Sequence, residues 1–183
     1  MADFVLKPAP FLGGYDQSFD RVRLREIVDI ALMSLAIPLQ GERAAAAAIK
    51  AALGCDLPEP GRSTMNGDGT IRVFQTAADQ YMAVSAAPVS PDALGDAAYV
   101  TDQTHSWAVL ELSGPGCRDA LERLCPLDLH PDAFAIGAAA RTVMEHMGAV
   151  ILRSEADTFL LMVGSSFAKT FLHAVETSVA YTS

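Results

Sequence analysis

The sequence predicts an α+β fold built from two pseudo-repeated, split βαβ-like halves, with a mainly antiparallel sheet and helices packed on it. Three observations lead there. Residues 35–41, a helix-like run and residues 53–58 are loosely echoed by residues 109–114, a second helix-like run and residues 124–131. Downstream, Val73-Phe-Gln-Thr-Ala-Ala-Asp79-Gln-Tyr81-Met82 resembles Ile151-Leu-Arg-Ser-Glu-Ala-Asp157-Thr-Phe159-Leu160. Between the helix-like runs lie short β-branched and aromatic stretches bounded by turn residues, the pattern of antiparallel strands. Gly41 and Gly114 are offset by 73 positions and Asp79 and Asp157 by 78, so the copies are expected to differ by one short insertion.

Residues 1–25, with Pro8, Pro10, Gly13 and Gly14 before mixed charges, read as an extended arm without a core of its own. It is either a strap across a partner or a frayed terminus. The domain then covers 26–183, with pseudo-repeats of about 26–98 and 99–183. Residues 26–37 are mainly apolar and end at Pro38, which favours a buried strand over the later part. Glu42–Leu53 is alanine-rich, free of proline and followed by Gly54, the mark of a helix with a glycine stop. Residues 57–69 form a loop on their proline, glycine, Asn66 and Asp68 content. Residues 70–76 and 80–86 make a hairpin around Ala77-Ala-Asp79. A short helix over 91–98, capped by Ser90 with Pro91 in its first turn, leads to a brief strand at Tyr99–Asp102.

The second half opens with a strand over 106–112. Ser113 is placed to cap a helix over 116–124, whose inward stripe is Cys117, Ala120, Leu121 and Leu124. Residues 138–145, 149–153 and 158–163 form a meander with turns near Met147-Gly148 and at 154–157. Ser165 or Ser166 caps a last helix to about Val179, with Phe167, Phe171, Leu172 and Val175 inward.

Composition narrows the function. A net charge of −9 without Lys/Arg clusters excludes nucleic acid and anionic membranes as partners. Half of the residues are hydrophobic, but no uncharged apolar run approaches the roughly 20 residues that span a bilayer. The acid in Met-Ala-Asp-Phe-Val-Leu-Lys argues against a signal peptide, so the expected location is the cytoplasm. The apolar surplus fits a subunit interface or a generous core equally.

No residue set is predicted as catalytic, cofactor-binding or metal-binding. His105, His130, His146 and His173 fall in separate elements with no ligand spacing. Cys55, Cys117 and Cys125 are odd in number, which argues against a disulfide framework. Cys117 is read as a buried core residue rather than a nucleophile lowered by its helix N-terminus. The segment Leu112-Ser-Gly-Pro-Gly-Cys-Arg118 looks superficially like an anion-cradling loop but matches neither phosphate-loop spacing. Asp102 and His105 lack a nucleophile tied to them, and Asp79 and Asp157 suit turn positions. Trp107 is either core or an interface anchor.

One further pattern is specific. Asp102-Gln-Thr, His105-Ser-Trp107, Leu110-Glu-Leu-Ser-Gly-Pro115, Cys125-Pro-Leu-Asp-Leu-His-Pro131, Phe134-Ala-Ile-Gly137, Arg141-Thr142, Asp157-Thr-Phe159 and Ser165-Ser-Phe-Ala168 together resemble the gamma subunit of heterotetrameric sarcosine oxidase. Ile37-Pro38, Leu53-Gly54 and Leu57-Pro58 agree more loosely. The resemblance implies a fold like the folate-binding domain of aminomethyltransferases, the glycine cleavage T protein among them. It also implies a non-catalytic subunit held mainly against alpha, alongside beta and delta, in a complex that oxidatively demethylates sarcosine to glycine. There the one-carbon unit passes to tetrahydrofolate or leaves as formaldehyde, and FAD, FMN, NAD, zinc and tetrahydrofolate reside on other subunits. Two departures stand out: the hairpin lacks the family's turn proline at Ala77-Ala-Asp79, and Ser165-Ser-Phe167 stands where Arg-Ser-Phe is expected. The parent substrate is therefore sarcosine or another N-methylated amine. The alternative function is a free-standing folate-binding aminomethyltransferase-like protein; a weaker third is a self-associating structural protein.

Overall fold

The computed structural model describes residues 9–182. Its elements run β1 (Asp16–Ser18), β2 (Arg23–Glu26), β3 (Ala31–Ala36), α1 (Glu42–Leu53), β4 (Ser63–Met65), β5 (Ile71–Ala77) and β6 (Gln80–Ser85). A 3-10 helix at Pro91–Ala97 and β7 (Tyr99–Asp102) complete the first half. The second contains β8 (Trp107–Ser113), α2 (Cys117–Leu121), β9 (Ala139–Met144), β10 (Met147–Glu155), β11 (Thr158–Gly164), a 3-10 turn at Ser165–Phe167 and α3 (Ala168–Thr182).

The strands form two antiparallel sheets, β4-β5-β6-β3-β7 and β9-β10-β11-β8-β2-β1. Side-chain alternation along each strand builds three apolar layers. In the first sheet, Met33, Leu35, Val73, Tyr81 and Ala83 pack beneath α1, which contributes Ala45, Ile49 and Leu53. In the second, Leu110, Leu112, Ile151, Phe159 and Leu161 pack beneath Cys117, Ala120 and Leu121 of α2 and Phe171, Val175 and Val179 of α3. The opposite faces meet each other through Leu32, Phe74, Met82, Val109, Val150, Leu152 and Met162. Helices thus lie on the outer face of each sheet, and the sheets face one another. Gly54 ends α1 with φ +72 and donates its N–H to Lys50 at 3.1 Å, as the glycine stop requires.

The duplication is legible in single hydrogen bonds. Ile37 N–H donates to the carbonyl of Asp79 at 2.8 Å, and Gly114 N–H donates to that of Asp157 at 2.8 Å. Both hairpins carry a bulge at the same place, after Gln75 and after Arg153. The bulged Thr76 hydroxyl donates to Gln80 O at 3.2 Å, and the bulged Ser154 hydroxyl to Thr158 O at 3.2 Å. The aspartate correspondence therefore holds. The glycine correspondence does not: Gly114 matches Ile37, while Gly41 sits one turn further on, at the start of α1.

The main correction concerns residues 1–25. Residues 1–8 lie outside the described residues, but from Phe11 onward this segment belongs to the core. Leu24 and Val22 are buried in the second layer, with Phe11, Leu12, Tyr15 and Phe19 packed against it. Strand β2 pairs with β8 in the place that β7 takes beside β3. The last strand of the second half is thus supplied from the N-terminal end, and the boundary at residue 26 cuts through a sheet.

Smaller differences have local causes. The loop over 57–69 contains β4, and Arg62 bridges Ala138, stitching the edges of the two sheets together. Helix α2 stops at Leu121, and Ser113 ends β8 without capping it. The β9–β10 turn falls at Glu145 and His146, both at positive φ (+45 and +66), rather than at Met147-Gly148. Two positive-φ residues match the right-handed strand twist, and that register turns Met147 into the core. Neither Ser90, Ser165 nor Ser166 makes a side-chain cap bond, and Phe167 is half exposed while Phe171 and Val175 are buried.

Candidate functional site

The structure keeps the chemistry-bearing side chains apart. All four histidines are exposed, on different elements. Among the described residues no group of His, Cys, Asp or Glu is arranged to hold a metal ion. The three thiols are free and buried, and burial pushes each of them up, Cys117 to about 12. A thiol in that state is a small hydrophobe and not a nucleophile. Asp102 accepts the Thr104 N–H at 2.9 Å in a local turn, and that bond holds its carboxyl below the usual range.

The apparent anion loop at Leu112–Arg118 has another occupant. Gly114, at φ +119, and Gly116 lie under the chain's own residues 21 and 22. A Cβ on Gly114 would come within 2.5 Å of Arg21 O, and one on Gly116 within 3.0 Å of the Arg21 side chain. Gly116 N–H donates to Arg21 O at 3.3 Å and Cys117 N–H to Gly114 O at 3.1 Å, so these amides are used internally. The glycines admit a crossing backbone, and α2, with five residues, offers no phosphate cradle.

Trp107 is half-buried at the start of β8, at the rim of the layer between the sheets. It borders a cavity of about 280 Å³ lined by Phe11, Ile30, His105 and other residues, and a smaller one with Gln103 and Arg141. In the larger cavity Glu26 is buried, and its carboxylate accepts Leu12 N–H at 3.0 Å and Gly14 N–H at 2.8 Å, pinning the N-terminal segment.

A wider opening, about 580 Å³, lies where the two sheets part. Along β8, Val109 belongs to the shared apolar layer, and Glu111 and Ser113 extend the same face into the opening. Arg72, two positions before Phe74 on β5, enters from the opposite sheet. Arg25 donates to Glu111 at 2.7 Å, whereas Arg72 donates to the hydroxyl of Ser63, at 2.9 Å. Half-burial lowers the Arg72 pKa, and no carboxylate among the described residues offsets it. Sequence reasoning did not single out Arg72, although a cation in step with Phe74 on a strand was a signal that it points inward.

Facing antiparallel sheets with outer helices, assembled from two halves of like strand order, define a duplicated α+β domain with an aminomethyltransferase-like fold. The glycine cleavage system aminomethyltransferase T from Bartonella henselae has this fold: TM-score 0.57 at 17% identity, covering 85% of this chain and 45% of that one. A chain of the heterotetrameric sarcosine oxidase from Corynebacterium sp. U-96, solved in complex with pyrrole 2-carboxylate, matches with a TM-score of 0.77 at 24% identity, over 91% of this chain and 88% of that one. Residues 40–180 match the family described as "Sarcosine oxidase, gamma subunit family". The sarcosine oxidase subunit gamma of Corynebacterium sp. (strain P-1) is 31% identical over 160 residues, 83% of this chain and 77% of that protein. That of Arthrobacter sp. is 29% identical over 134 residues, 69% and 66% of the respective chains. The chain belongs to the sarcosine oxidase gamma subunit family. No helix among the described residues is long and apolar enough to cross a membrane.

Proposed function

We propose that this chain is the non-catalytic, structural gamma subunit of a heterotetrameric sarcosine-oxidase-like complex. In this reading the complex oxidatively demethylates sarcosine to glycine in the cytoplasm, passing the one-carbon unit to tetrahydrofolate or releasing formaldehyde. Alpha is the main contact, with beta and delta completing the assembly. The observation that carries the reading is the family match over residues 40–180.

The surface supports it. β7 is an edge strand with an open hydrogen-bonding side, Tyr99 on it is 72% exposed, and Leu39 is 96% exposed. Large apolar side chains and an unpaired edge are features that a partner covers. In this reading FAD, FMN, NAD, zinc and tetrahydrofolate reside on other subunits. The buried thiols, the scattered histidines and the glycine loop filled by residues 21 and 22 support it.

The test is co-expression with the other subunits of the oxidase. A flavin-containing complex that retains this chain through gel filtration is the expected result, together with no sarcosine turnover by the chain alone. A chain that stays apart from those subunits, or that oxidises an N-methyl amine unaided, overturns the proposal. The likeness to the T-protein fold motivates a second reading, a free-standing folate binder. Saturable quenching of Trp107 by tetrahydrofolate in the isolated protein distinguishes it.

A further inference from the structure

The open end of the inter-sheet layer has a specific electrostatic character. Thr70, Ser113, Ser154 and Arg72 are among its lining residues. Arg25 is neutralised by Glu111 at 2.7 Å, but Arg72 has no carboxylate partner among the described residues. A guanidinium presents five N–H donors in a planar fork, and only one bond, to Ser63, is made here. A half-buried cation without a carboxylate partner among the described residues carries a desolvation cost that no anion offsets.

We infer that Arg72 receives one carboxylate side chain from a loop of a partner subunit, inserted between the two sheets. This rests on the proposed assembly. A bidentate guanidinium–carboxylate pair fits the fork, and the half-burial of Arg72 strengthens it. Asp29, Glu111 and Glu155 also line the opening, and their charge opposes a phosphate or a polyanion more than a single carboxylate. An open trough shared by two sheets also fits a polypeptide loop better than the enclosed, mostly apolar pockets of small ligands.

The experiment titrates this chain against the remaining oxidase subunits, comparing wild type with Arg72→Gln and Arg72→Lys, with thermal unfolding of each variant as the folding check. The expected result is assembly weakened about tenfold or more by Arg72→Gln, and less by Arg72→Lys, which keeps the charge and loses the fork. The wild-type affinity should fall with salt more steeply than that of Arg72→Gln. In a parallel arm, acetate is titrated into the isolated chain while the Arg72 Nε–H resonance is followed. Folded variants that assemble like wild type overturn the inference, as does tight acetate binding at Arg72 with assembly indifferent to the substitution. If wild type itself fails to assemble, the subunit reading falls instead.

Discussion

Gly114 lies directly beneath Arg21: a Cβ built on the glycine would approach the Arg21 carbonyl oxygen to 2.5 Å. The contact seals the N-terminal strand β2 against the loop that opens α2, and φ +119 at Gly114 adds a conformational requirement. Gly114→Ala is therefore expected to lower stability by about 2–4 kcal/mol in urea unfolding. Gly148→Ala is the control, since nothing lies within 4 Å of its Cβ direction, and its expected change is within about 1 kcal/mol.

Glu26 holds the preceding segment by its carboxylate. It is 8% exposed and accepts two backbone N–H groups, from Leu12 and Gly14. Glu26→Ala should cost about 1–3 kcal/mol, because two amides lose an ionised acceptor. Limited proteolysis should then cut between residues 9 and 19 faster than in wild type. Unchanged cleavage there would show that the apolar contacts of Phe11, Tyr15 and Phe19 suffice.

The equivalent hairpin positions Gln75 and Arg153 do one job with different chemistry. Gln75 Nε2 donates to Ala78 O at 2.8 Å, and the Arg153 guanidinium donates to Ala156 O, Glu155 O and Phe134 O. Arg153 also lies 5.8 Å over the Phe159 ring, where the other half has Tyr81. Arg153→Ala strands the buried Phe134 carbonyl, frees those of Glu155 and Ala156 to water and empties a buried position, and is expected to cost about 2–3 kcal/mol, while Arg153→Gln restores the Ala156 bond and part of the loss. Chemical denaturation of both variants checks the order.

Cys117 gives a pH dependence of known sign. Burial raises its pKa from 9.0 to about 12, so the folded state keeps the proton after the unfolded chain has released it. Its contribution is complete below about pH 9 and declines as pH rises toward about 12, by at most about 1.4 kcal/mol per pH unit. Cys117→Ala should remove that part of the slope in urea unfolding followed above pH 9. At pH 8 the native thiolate is on the order of one part in ten thousand, so alkylation of Cys117 should track unfolding.

Local chemistry fixed what it could reach by itself. Alanine content, the absence of proline and Gly54 determined α1 to its last residue, because helix propensity and a left-handed stop act within a few positions. Period-2 alternation and the turn aspartates determined both hairpins, and the repeated Asp79 and Asp157 disclosed the duplication. The run from Cys125 to Pro131 with Phe134 and Gly137 disclosed the family. Tertiary structure decided everything that depends on which distant segments meet. Arg21 to Glu26 has the composition of a solvated arm, yet β8 needed a neighbour where β3 has β7, and the pairing made this segment core. Likewise, the glycines at 114 and 116 matched no phosphate-loop spacing, and only the crossing of residues 21 and 22 over them explains their place; Arg72 became a cation without a carboxylate partner among the described residues only when two sheets closed around it. The physical reason is common to all three: backbone pairing and desolvation are properties of what lies opposite a residue, and the partner is remote in sequence.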